Sequence, residues 1–84
     1  MEEIKIRLTT AEEVREFVRA ARKCEFDVDI SYGRAVVDGK SIMGIFSLDL
    51  SKPIDLGLEH LLTVNCHGEN PEFRQSIGKF AQEA

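Results

Sequence analysis

The chain has no tryptophan, one tyrosine, two prolines, two cysteines and two histidines. It also lacks any apolar run approaching the roughly 20 residues that a bilayer-spanning helix needs, which excludes a helical membrane anchor and predicts no membrane partner. Cys24 and Cys66 lie far apart, without the paired spacing of a zinc or dithiol motif. Reduced, buried thiols are therefore expected, with no metal site and no cofactor. Met1-Glu2-Glu3 lacks the basic-then-apolar organisation of a secretory leader, so a cytoplasmic protein is expected.

An excess of positive charge is missing as well. With 11 basic and 15 acidic residues the formal net charge is −4, which disfavours a polyphosphate partner; no nucleic acid is expected. The densest basic run, Arg19, Arg22 and Lys23, falls late in a predicted helix, where cations complement the negative end of the helix dipole.

What is present is enough for one core. The chain has 84 residues, 43% of them hydrophobic, too few to divide between two interiors and too apolar for disorder. A single domain over residues 1–84, folding alone as a monomer, is expected.

Ile4, Ile6 and Leu8 alternate with Lys5 and Arg7, the period of a half-buried strand. Thr10-Ala-Glu-Glu13 then has the form of a capping box, in which a threonine hydroxyl and a glutamate three residues on satisfy each other's backbone N–H groups. The following stripe of Val14, Phe17, Val18 and Ala21 has helical spacing, with Glu12, Arg15, Glu16, Arg19 and Arg22 turned to water. Phe26, Val28 and Ile30 alternate with Asp27, Asp29 and Ser31 in a second predicted strand ending at a turn at Tyr32-Gly33. Arg34 to Val37 reads as its hairpin partner, closed by Asp38-Gly39.

Ser41 is placed to cap a short, almost wholly apolar helix through Ile42, Met43, Ile45, Phe46 and Leu48. Such a helix either buries several sides or presents an apolar patch to a partner, and mixed use is the expectation. Ser51 to Gly57 is the least regular stretch, with a strand over Ile54 to Leu58 open as an alternative. Leu61 to His67 reads as a strand with Leu62, Val64 and Cys66 inward. Asn70-Pro71 supplies a cap and a first-turn proline for a last helix carrying Phe73, Ile77, Phe80 and Ala81.

The order β-α-β-β-α-β-α, with half-buried strands and amphipathic helices, predicts an α+β, open-faced two-layer sandwich: a four-stranded antiparallel sheet covered on one face by helices. The open face should be polar, with Asp27, Asp29, Ser31, Thr63, Asn65 and His67 on it.

Gly39-Lys-Ser-Ile-Met-Gly-Ile-Phe-Ser-Leu48 closely resembles the K-S-I-M-G-x-x-S-L stretch of HPr, the histidine phosphocarrier of the bacterial sugar phosphotransferase system. Lys40, Ser41, Ile42, Met43, Gly44, Ser47 and Leu48 all fit, and the predicted element order is that of the family. The resemblance covers nearly the whole chain and weakens after Leu50. In the phosphocarriers the first helix opens with G-[LI]-H-A-R-P-A, where the histidine carries the phosphoryl group and the arginine helps to hold it. Here Thr10 stands at the histidine position and Glu12 at that of the arginine.

That departure bears on chemistry. An imidazole forms a labile, high-energy phosphoramidate near neutral pH, whereas a threonine phosphoester is too stable for onward transfer. Glu12 and Glu13 would also repel the phosphate that a helix start otherwise attracts. The resemblance thus implies an HPr-like regulatory or interaction protein, not an enzyme and not a phosphocarrier of the usual kind.

In some members of the family the serine of K-S-I-M-G is phosphorylated by an ATP-dependent kinase, and Ser41 matches that position. It reads equally as an ordinary N-cap, with Met43 and Phe46 as packing residues. Lys40, Ser41, Ile42, Met43, Phe46 and Ser47 are the candidate partner-binding residues, because a flexible thioether on a short exposed helix suits adaptable contacts. The resemblance implies protein partners: phosphotransferase-system components, an HPr kinase or a transcriptional regulator.

Aligning Leu62 to Gly68 with the family's last strand leaves about six extra residues between Leu50 and Leu62, a length that surface loops tolerate. In the family this loop lies beside the phosphoryl site, so the insertion, with Lys52 and His60, could cover that place. The alternative function is a phosphocarrier using His60 or His67, although neither is flanked by a recognisable partner. A third reading is a structural remnant or accessory whose partner is unrelated to sugar transport.

Overall fold

The computed structural model describes residues 2–8, 10–48 and 61–81. Its elements are β1 (Glu2–Arg7), α1 (Ala11–Arg22), β2 (Val28–Tyr32), β3 (Ala35–Asp38), α2 (Ile42–Phe46), β4 (Leu61–Cys66) and α3 (Pro71–Ile77), the last followed by a 3₁₀ turn over Gly78–Phe80. The order matches the sequence expectation. All described strands pair antiparallel in one sheet of order β1-β4-β2-β3, so the last strand is inserted between the first two.

Strand alternation divides the faces. Ile6, Ile30, Leu62 and Val64 are wholly buried, and with Leu8, Val28 and Cys66 they meet Val14, Phe17, Val18 and Ala21 of α1 in one apolar cluster. Each such aliphatic or aromatic side chain contributes about 1.5–3 kcal/mol on leaving water. Phe73 of α3 meets Phe17 edge to face, with ring centroids 5.9 Å apart at 66°. The opposite face is polar as expected: Lys5 Nζ donates to Thr63 Oγ1 at 2.6 Å and Asn65 Nδ2 to Ser31 Oγ at 3.0 Å.

Several boundaries differ from those read in the sequence. β2 begins at Val28, two residues later than expected, and Phe26 before it packs half-buried against the core and against Gly68. A Cβ at Gly68 would come within 2.3 Å of the Phe26 ring. Asp27 is exposed just before β2, and its carbonyl accepts from His67 N at 3.2 Å. The hairpin turns at Gly33-Arg34, one residue on from the Tyr32-Gly33 expected, and β3 runs to Asp38; Gly33 has φ +60°, a region that non-glycine residues enter at a cost. β4 stops at Cys66, which leaves His67 beyond its end.

α2 ends at Phe46, and Leu48 is buried just beyond it. Ala81 leaves the helical stripe: α3 ends at Ile77, Gly78 opens the tighter turn, and Ala81 bridges Ile6 as an extended residue instead. The readings that concern Ile54 to Leu58, the extra residues after Leu50, Lys52 and His60 lie outside the described residues. Among the described residues no helix is long and apolar enough to cross a membrane.

Candidate functional site

The start of α1 is built as the sequence implies. Thr10 is extended, with φ −131° and ψ 158°, and its hydroxyl accepts from Glu13 N at 3.1 Å. Glu13 Oε1 in turn accepts from Thr10 N at 3.2 Å. An open helix start offers free N–H groups and a partial positive charge to an anion. Here the protein's own carboxylate and hydroxyl take two of those donors, and Glu12 stands exposed in the same turn. A phosphate arriving there would have to displace one carboxylate and face another.

The start of α2 has the same design without the acid. Ser41 is extended, with φ −112° and ψ 113°, and its hydroxyl accepts from Gly44 N at 3.0 Å. Ile45 is wholly buried and anchors the short helix, while Met43 is 77% and Phe46 43% exposed. Ile42 packs half-buried against the core, and Ser47 donates its hydroxyl to Gly44 O at 2.5 Å. Mixed use of this helix is therefore what the structure has: one anchor inward, two large apolar side chains outward.

Lys40 sits differently from the partner contact expected of it. Its Nζ donates to Cys24 O at 2.9 Å, and its backbone N–H donates to Asp38 Oδ1 at 2.9 Å. Arg22 Nε donates to Lys40 O at 3.0 Å. These bonds pin the approach to α2 onto the end of α1. They also set the two sites apart: Ser41 lies beside the last turn of α1 and Thr10 at its first, separated by about 18 Å of helix at 1.5 Å per residue.

His67 is not brought to the start of α1. Glu2 pairs with Cys66 and Arg7 with Leu61, so His67 follows the end of β4 that lies at the far end of β1 from Thr10. There its Nε2 is 2.9 Å from Asp29 Oδ2, an ion pair when the ring is protonated.

The sequence reading missed a basic flank. Arg15, Val18, Arg19, Arg22 and Lys23 line a cleft against Ile42, so cations of α1 border the apolar patch of α2. The i, i+4 spacing of Arg15, Arg19 and Lys23 carried that signal, but only the later part of it stood out as a run. The thiols are as expected: Cys24 and Cys66 are buried and unbridged, and burial pushes both above the ordinary thiol range. For Cys24 a hydrogen bond from Asn70 and the charge of Lys40 oppose the rise.

With that geometry, the comparisons with known proteins agree in kind. The family model of the PTS HPr component phosphorylation site matches residues 9–81. The crystal structure of HPr-C-His from Thermoanaerobacter tengcongensis superposes with a TM-score of 0.70 over 94% of this chain and 89% of that one, at 22% identity. The phosphocarrier protein HPr from Bacillus anthracis str. Ames superposes with a TM-score of 0.62 over 96% and 94%, at 25% identity. No curated protein sequence matches the chain.

Proposed function

This chain belongs to the HPr family of the phosphotransferase system, and from that premise we propose that it is a regulatory or protein-interaction module that has lost histidine phosphocarrier chemistry. HPr proteins are carriers of phosphoryl groups rather than enzymes, and the reading keeps their docking role without the transfer step.

The observation that carries this reading is the reciprocal bond between Thr10 and Glu13. A carrier needs a nucleophile that gives up its phosphate readily, beside donors that are free to hold it. At the start of α1 stand a hydroxyl, whose phosphoester would be too stable to pass on, and a carboxylate already seated on a backbone donor. Glu12 adds charge of the wrong sign in the turn where the family has an arginine.

Partner binding is assigned to α2. Met43, Phe46 and Ile42 supply an adaptable apolar surface, Ser41 and Ser47 its polar margin, and Lys40 holds the segment in place from behind. Phosphorylation of Ser41 would add about two negative charges and three strong acceptors at the edge of this patch, recoding which protein it accepts. The partners in view are phosphotransferase-system components, an HPr kinase or a transcriptional regulator.

The test has two arms read by intact mass and site mapping. Phosphoenolpyruvate with the system's first enzyme should leave the chain unlabelled, while ATP with HPr kinase should label Ser41. An acid-labile, alkali-stable label on His60 or His67 in the first arm would overturn the reading and establish an unusual carrier. Failure of the second arm, with an authentic carrier labelled in parallel, would remove the Ser41 switch.

A further inference from the structure

We propose that the outer edge of β3 pairs with the same edge of a second copy of this chain, joining two four-stranded sheets across a two-fold axis at Val36. β3 ends the strand order β1-β4-β2-β3, and among the described residues no strand or bridge lies on its free side. The opposite end of the sheet is partly closed, because Ala81 bridges Ile6 of β1. Edge strands usually resist pairing through a proline, a lysine or a bulge. Ala35–Asp38 has none of these, its register with β2 is unbroken, and Val36 in its middle is 65% exposed.

The phase of the ladder decides which backbone groups that edge offers. Gly39 N donates to Val28 O at 2.7 Å, and His67 N to Asp27 O at 3.2 Å. Alternation along β2 therefore turns the backbone groups of Val28, Ile30 and Tyr32 toward β3 and those of Asp29 and Ser31 toward β4. Ile30 stands opposite Val37 and Tyr32 opposite Ala35, so these two residues of β3 bond to β2. Val36, opposite Ser31, is left with its N–H and C=O pointing away from the sheet. In an antiparallel pair centred on Val36, the two copies exchange both bonds at that residue, as a self-complementary two-fold contact requires.

Charge selects the occupant. Arg34 stands two positions before Val36 and Asp38 two after, so antiparallel pairing about Val36 sets Arg34 of each copy opposite Asp38 of the other. Parallel pairing would set like charges side by side. Arg34 is exposed and makes no ion pair among the described residues. Asp38 faces Asp29 across the β2–β3 ladder, a like-charge neighbour that is unfavourable in a sheet. Asp29 has His67 Nε2 at 2.9 Å, whereas the Asp38 carboxylate holds only the backbone N–H of Lys40. A guanidinium from the second copy supplies the cation that Asp38 lacks. Four residues make a short seam, so the dimer is weak and concentration-dependent. The monomer expected from the length of the chain is its dilute limit.

The experiment is sedimentation velocity of the full chain from about 10 μM to 1 mM, the range in which a small interface associates. The sedimentation coefficient should rise with concentration, and in a mixed ¹³C-labelled and unlabelled sample intermolecular NOEs should join Val36 to Val36. Arg34→Asp and Asp38→Arg, each checked for fold by circular dichroism, set like charges opposite one another and should each weaken self-association about tenfold. Mixed in equal amounts, the two variants should associate again, because both charged rungs of the mixed dimer then carry opposite signs. A coefficient that stays at the monomer value, NOEs centred on β1 or α2, self-association unchanged in both variants, or a mixture no more associated than either variant alone would each overturn the proposal. None of these outcomes depends on Thr10 or on phosphorylation of Ser41.

Discussion

The Thr10 hydroxyl accepts from Glu13 N at 3.1 Å while Glu13 Oε1 accepts from Thr10 N at 3.2 Å, so the first turn of α1 is closed by its own side chains. Replacing Thr10 with alanine removes one of those acceptors and strands a backbone donor. A loss of about 1 kcal/mol is expected in urea unfolding, within the ordinary range for a cap. Replacing it with histidine should cost a similar amount and, with Glu12 and Glu13 still in place, should not make the chain a substrate for the system's first enzyme. Efficient labelling of that variant would mean that the acidic turn is no barrier.

Ser41 makes only the forward half of such a cap, to Gly44 N at 3.0 Å. Ser41→Ala should therefore destabilise by about 1 kcal/mol, whereas Ser41→Asp, another good N-cap residue, should be close to neutral. Urea midpoints of the two variants decide this. A strongly destabilised Ser41→Asp would show that the start of α2 does not tolerate negative charge, and would count against phosphorylation there.

Met43 and Ile45 are two residues apart on one short helix and differ completely in burial, at 77% and 0% exposure. Ile45→Ala should cost about 2–5 kcal/mol through loss of packing and the cavity left behind. Met43→Ala should stay within about 0.5 kcal/mol of the parent. If α2 is the docking helix, Met43→Ala should nevertheless raise the KM of HPr kinase for the protein several-fold. Unchanged kinetics would remove Met43 from the contact.

The thiols give a pH dependence with a definite sign. Burial raises Cys24 and Cys66 above the ordinary value of 9.0, so between that value and the folded-state values the unfolded chain binds fewer protons than the folded one. Stability then falls as pH rises through this window and is unaffected by these groups below it. Thermal midpoints from pH 8 upward should drop more in the parent than in a Cys24→Ala, Cys66→Ala double variant. Slow reaction with a disulfide reagent under native conditions, accelerated by urea, is the companion expectation.

The legible parts of the chain were those decided locally. The Thr10-Glu13 box, the Asn70-Pro71 start of α3 and the alternation in β1 and β4 involve neighbours within a few residues, so the pattern alone selects the geometry. What stayed hidden depends on contacts between distant segments. Phe26 lies against Gly68 across the fold, and Lys40 faces inward because the carbonyl of Cys24 lies behind it. His67 could not be excluded from the start of α1 until the pairing of β1 with β4 put it at the other end. In the same way Glu16 read only as a solvent-facing charge of α1, whereas the fold pairs it with Lys79 of a different segment.

The contact between Phe26 and Gly68 allows the sharpest separation of packing from local conformation. A Cβ built at Gly68 lies 2.3 Å from Phe26 Cδ2 and 2.6 Å from Cγ, so the ring as a whole must move rather than its far edge alone. Gly68→Ala should then destabilise by about 1–3 kcal/mol, the usual range for overpacking. Phe26→Ala loses the ring's own packing, but it also removes the three atoms nearest to a Cβ at position 68. The double variant should consequently be more stable than the sum of the two single losses implies, with an interaction energy above about 0.5 kcal/mol in a cycle of urea unfolding measurements. Additive losses would mean that Gly68 is needed for its backbone, and that the turn after β4, not the ring, sets where β2 begins.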